Sequence, residues 1–157
     1  MVDRAARDAL AQALRRLACG RITNDEFEAS LLASEDTAVV GIADAAWTLY
    51  DDLYEHYLKG AHTLPLEAKR GVARCILFLR SDLGYLWPER RLSALDIARL
   101  FADLFTLGVF SRISRPKPDG AGDMSVWPFF SRFHLHAEIA RATRGLQRKI
   151  QSAPATP

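Results

Sequence analysis

The chain has 157 residues, enough for one domain with a real hydrophobic core. Apolar residues make up 49% and charged residues 25%, which excludes the disordered and membrane-embedded classes. No stretch approaches the roughly 18 apolar residues of a membrane span. Asp3, Arg4, Arg7 and Asp8 break up any apolar signal core, so the expected compartment is the cytoplasm.

Net charge is only +2, but it is unevenly placed. Residues 1–60 carry six basic and eleven acidic side chains, residues 61–111 seven and five, and residues 112–157 eight and three. This segregation suits either acidic and basic parts of one fold that attract each other, or a basic end that meets an acidic partner. Seventeen of the 21 basic residues are Arg. With the many Ala and Leu, that points by coding bias to a bacterial, GC-rich source. Cys19 and Cys75 lack further ligands for zinc and read as reduced, buried hydrophobes.

The spacing predicts a first helix over Asp3 to Ala18, with Ala6, Leu10, Ala13, Leu14 and Leu17 on its core face and Gly20 as a stop. A second begins at Thr23, which caps the amide of Glu26 while Glu26 reaches back; it is expected to end near Ser34. The longest helical pattern follows Thr37. Val39, Ile42, Ala46, Trp47, Tyr50, Leu53, Tyr54, Tyr57 and Leu58 recur at spacings of three and four as far as Gly60. Pro65 opens a fourth helix at a tolerated first-turn position, with Val72, Ala73, Cys75, Ile76, Phe78 and Leu79 as its apolar stripe and Gly84 as its end.

A fifth helix, Ser93 to Leu107, is apolar almost all round and so belongs at the centre of the fold. Val109–Ile113 is compatible with a short strand, and Arg115–Asp123 is a turn-rich loop. A last helix, about Ser131 to Gln151, points Leu135, Ile139, Ala142, Leu146 and Ile150 inward. The expectation is an all-α compact bundle of five or six helices with an irregular loop before the last helix: one domain over residues 1–151 and a frayed tail over 152–157.

From Leu14 the chain reads Leu-x-x-Leu-x-x-Gly-x-Ile-Thr-x-x-Glu-Phe through Phe27. This stretch, continued to Leu32, resembles the short helical hairpin domain found at the C-termini of bacterial proteins, here near the N-terminal end. The resemblance implies oligomerisation or partner contact. Arg74 to Asp82, with Tyr85-Leu86-Trp87-Pro88, resembles a recurrent segment of small uncharacterised bacterial helical proteins. That resemblance implies a discrete domain and supplies no activity.

Three sets of residues are candidates for function. Trp127, Phe129, Phe130 and Trp87 lie at two Trp-Pro pairs beside the loop and are the candidate partner-binding residues; the competing reading is that they close the ends of the core. Trp47, Tyr50, Tyr54 and Tyr57 form an aromatic stripe with wettable hydroxyls, a candidate homodimer face. Arg141, Arg144, Arg148 and Lys149 are the alternative, a nucleic-acid contact through phosphates, although no motif of sequence-specific binding accompanies them. His134 and His136 diverge on a helix, and His56 and His62 lie across a glycine, so no metal site is expected.

No glycine-rich phosphate loop, His-Glu-x-x-His or Gly-x-Ser-x-Gly is present, and neither cofactor nor catalytic residue is expected. The leading reading is a non-enzymatic interaction factor of bacterial type, accessory, regulatory or immunity-like, that binds a protein partner. A nucleic-acid-associated protein is the second reading and an enzyme of unrecognised type the third. No membrane contact is expected.

Overall fold

Asp3 starts the first helix: its side chain accepts the amide of Ala6 at 3.0 Å and opens α1, Arg4–Ala18. The computed structural model describes residues 1–87 and 122–151, without the side chains of 149 and 150. They belong to a unit of residues 1–86 and 122 onward; a second unit, residues 87–121, has only Trp87 among the described residues. The described part is all-α. After α1 come α2, Asn24–Ala29; α3, Thr37–Ala46; α4, Leu66–Leu79; and α5, Arg132–Gln151.

The core forms where α1 lies against α4, with α2 and α3 beside it. Ala6, Leu10, Ala13, Leu14 and Leu17 of α1 are all buried, as their spacing predicts. They meet Phe27, Val39, Ile42, Val72, Cys75, Phe78 and Leu79 in one apolar cluster. Val126, Phe129 and Leu135 from the C-terminal piece complete it.

One buried charge pair joins three elements. Arg7 and Asp36 bond side chain to side chain, with exposures of 1% and 3%. The Asp36 carboxylate also accepts the amides of Asp3 and Ala38, which makes it the cap of α3. Arg7 gives its remaining donors to the carbonyls of Ser81 and Leu83. Arg4 adds bonds to the carbonyls of Leu79 and Ser81. A helix leaves its last carbonyls without partners, and here two arginines of α1 supply donors around the C-terminus of α4. This fixes the end of α4 at Leu79, five residues before Gly84, the predicted stop. Pro65 stands at the cap position before α4, one place earlier than expected.

Two other expectations are corrected. α2 ends at Ala29, short of Ser34, although its capping box forms as read. The long third helix ends at Ala46. A single 3-10 turn, Trp47–Leu49, follows, and Tyr50 is already extended. Asp51 then accepts the amide of Leu53, a turn bond that competes with the helix. The chain comes back to α2 instead: Thr23 and Tyr57 form an isolated antiparallel bridge.

α5 begins where predicted and buries Leu135. Its stripe is not inward beyond that point: Ala142 is exposed, as are Ile139 and Leu146, at 47% and 61%. The Ile150 side chain, the Ser93–Leu107 helix, the Val109–Ile113 strand, residues 115–121 of the loop and the 152–157 tail lie outside the described residues.

Candidate partner-binding face

Asn24 is the residue on which the candidate face is built. It is the first residue of α2 and is 1% exposed. Its Nδ2 donates to the carbonyl of Tyr54 at 3.2 Å and to that of Asp51 at 3.5 Å. Its Oδ1 accepts the amide of His56 at 2.8 Å, and its own amide donates to the carbonyl of His56. A buried side-chain amide that meets three backbone groups, with a fourth bond from its own backbone N–H, holds a non-helical segment in one shape. Glu55 adds a bond from the Thr23 hydroxyl at 2.8 Å.

That segment, residues 47–62, buries Leu58 in the core but turns several other apolar groups outward. Leu53 is 83% exposed, and Trp47, Tyr54 and Tyr57 are each about half exposed. Tyr50 is half-buried; its ring meets Phe27 edge-on and Trp47 at a tilt, both at 6.2 Å. Its hydroxyl donates to Glu28 at 3.1 Å. The four aromatics of the predicted stripe therefore do not line one helix face, which corrects the geometry assumed for them. They surround the turn that replaces the helix.

Acidic groups crowd the same place. Between Ile22 and Leu58 the chain has nine Asp or Glu and no Lys or Arg. Asp25, Glu26, Asp44, Asp51, Asp52 and Glu55 are exposed. Burial pushes the Tyr50 hydroxyl above its ordinary pKa, the bond to Glu28 adds to this, and the charges of Glu28, Asp52 and Asp25 push it further. The ring is thus bonded to a carboxylate of α2 and feels the charge of others from α2 and the turn. In chemical terms the arrangement offers recognition: carboxylates for charge-assisted bonds, aromatic faces for cations, and apolar area to bury.

The residues singled out from sequence are placed otherwise. Phe129 is fully buried, edge-on to Phe78 at 5.2 Å, so it is withdrawn from any partner. Trp127 is half-buried and donates its Nε1 hydrogen to the Tyr85 hydroxyl at 3.1 Å. Phe130 and Trp87 are half-buried. The proline-flanked aromatics of residues 127–129 pack because a turn rich in apolar groups had to close on the core. Asp123 and Arg132 pair at 2.9 Å beside them; bonds from Ser125, first the hydroxyl and then the amide, and then from Arg132 lower the Asp123 pKa.

Arg141, Arg144 and Arg148 are exposed on α5, and the side chain of Lys149 lies outside the described ones. His56 and His62 come together, with ring centroids 4.6 Å apart beside Tyr54, a proximity their sequence spacing did not indicate. Among the described residues no three His, Cys, Asp or Glu side chains are grouped to hold a metal ion. Cys19 is exposed, contrary to expectation, while Cys75 is buried. No described helix is long and apolar enough to cross a membrane.

The aromatics of this face are marked by their spacing, but the helical period hides the turn that exposes them beside carboxylates. The signal that marks the face, a run without a single cation from Ile22 to Leu58, was present. Compared with known proteins, the chain matches no family model, no curated protein and no solved structure.

Proposed function

We propose that the protein is a non-enzymatic interaction factor that binds a protein partner through the acidic aromatic face of α2 and residues 47–62. One observation carries this reading: Trp47, Leu53 and Tyr54 are exposed in the same segment as the exposed carboxylates of Asp51, Asp52 and Glu55, and its one Lys or Arg, Lys59, lies over the Tyr57 ring at 5.0 Å. Exposed aromatics are the usual anchors of interfaces, and a surface of one sign selects partners of the other. The partner segment is therefore basic and carries apolar or cationic groups that lie on tyrosine.

The test is binding of fluorescent amphipathic peptides rich in Arg and Lys, with glutamine-substituted controls. The basic peptides bind, the controls do not, and Tyr54→Ala or Asp52→Lys weakens binding at least tenfold without loss of helical content. Equal binding of both peptide sets, or no effect of either substitution, would overturn the reading.

A further inference from the structure

α5 carries a surface of the opposite kind. Arg141, Arg144 and Arg148 follow one another at spacings of three and four, so they stand in a row on one helix face. Over seven residues that row is about 10 Å long. All three are exposed. Glu138, the one acidic residue of α5, reaches only Arg141, at 3.4 Å. Cations gain from a helix dipole within the last turn, which leaves Arg141 and Arg144 outside that effect. The apolar positions Ile139, Ala142 and Leu146 lie on the opposite side of the helix, so the row is a polar face in its own right.

We infer that the occupant of the acidic aromatic face is the arginine row of α5 from a second copy of this chain, an inference that rests on the reading of that face given above. The two surfaces fit chemically. Guanidinium groups form forked bonds with carboxylates and stack on tyrosine and tryptophan rings. Asp25, Asp52 and Tyr54 offer both kinds of partner, while Lys59 already lies over the Tyr57 ring at 5.0 Å. Each chain carries one row and one face, so two copies exchange α5 reciprocally and close a two-fold dimer.

Charge exchange tests it. One variant, Arg144→Glu with Arg148→Glu, makes the row acidic; another, Asp25→Lys with Asp52→Lys, puts two cations on the face in place of two carboxylates. None of these four side chains carries a described structural bond. The mass of the wild type, each variant and their equimolar mixture is measured by sedimentation at low ionic strength and at about 1 M salt, where the screening length falls to about 3 Å. Helical content is checked by circular dichroism.

The wild type sediments at twice its 17.5 kDa chain mass at low salt and as the monomer at high salt. Each folded variant alone is monomeric, and the mixture recovers the dimer. A wild type that stays monomeric at low salt overturns the inference, as does a mixture of folded variants that fails to pair. Retention of basic-peptide binding by a monomeric wild type would show that self-association alone has failed; loss of that binding as well would sink the face itself. Duplex DNA binding that depends on Arg144 and Arg148, in a monomeric protein, would assign the row to phosphates instead.

Discussion

Arg7 donates from Nε to Oδ2 of Asp36 at 2.6 Å and from Nη2 to Oδ1 at 3.1 Å, and both side chains are sealed from water. The pair closes α1 onto the start of α3, and Arg7 lies 5.6 Å from the centroid of the Phe78 ring. Removing one partner of a buried pair leaves the other charge uncompensated, which costs about 3–5 kcal/mol. Asp36→Ala also removes the cap of α3. A urea titration should show its midpoint falling by that equivalent; a change below about 1 kcal/mol would mean that Arg7 finds water or another acceptor.

The same carboxylate sets an acid limit. Burial by itself would raise the Asp36 pKa, but the bonds from Arg7, Asp3 and Ala38 and the Arg7 charge outweigh it, and the group ends below its ordinary value of 3.8. Asp3 is lowered too, first by the Ala6 amide and then by the Ser34 hydroxyl. A carboxylate depressed in the fold contributes stability above its unfolded pKa and loses it as pH falls through the folded value. Unfolding free energy should therefore decline below pH 3.8, and Asp36→Ala should flatten that decline. An unchanged slope in the variant would show that other carboxylates carry the effect.

Asn24→Ala should release residues 51–57 without unfolding the helices. The substitution leaves the carbonyls of Tyr54 and Asp51 and the amide of His56 without their partner, at about 1–3 kcal/mol for a buried group left unpaired. Hydrogen exchange should quicken at His56 and its neighbours and stay slow in α1. Uniform protection across both would contradict the clamp described for Asn24.

Much of the helical framework was legible in local sequence. The Thr23–Glu26 capping box and the α1 stripe are decided within a few residues and form as read, while Asp3, expected inside α1, caps it instead. Residues 47–59 were not legible because their three–four spacing satisfies a helix as well as a turn whose aromatics face water. What ends α3 is a bridge from Tyr57 to Thr23 and the buried Asn24 amide, both distant in sequence. The stop of α4 at Leu79 depends likewise on Arg4 and Arg7. In the candidate face, composition was readable and placement was not, since Glu28 of α2 bonds the Tyr50 hydroxyl only after the chain returns.

Phe129→Ala should cost about 3–5 kcal/mol, the usual loss for a large aromatic removed from a core, because its ring is fully buried against Phe78. Trp127→Phe keeps the ring packing but removes the bond to Tyr85, at about 1 kcal/mol. Thermal melts rank the two. Equal losses would mean that the hydrogen bond matters as much as the buried ring.

The two thiols should separate cleanly under alkylation. Burial pushes Cys75 up to about 12, so little thiolate forms at mildly alkaline pH, and thiolate is the reactive species. Cys19 is exposed at the end of α1. Mass spectrometry after brief iodoacetamide treatment should find Cys19 modified and Cys75 intact. Rapid labelling of both would show α4 opening on the timescale of the reaction.

Tyr85 joins pieces of chain that lie far apart in sequence. Its hydroxyl rests against Gly41 of α3, where a Cβ would come within 2.9 Å, and accepts the Trp127 bond at 3.1 Å. Both ends of residues 87–121 are thereby anchored to the same helices, Leu86 just after Tyr85 and Gly122 shortly before Trp127. One hydroxyl thus links α3 to the turn before α5, so a change at Tyr85 reaches Gly41 and Trp127 at once.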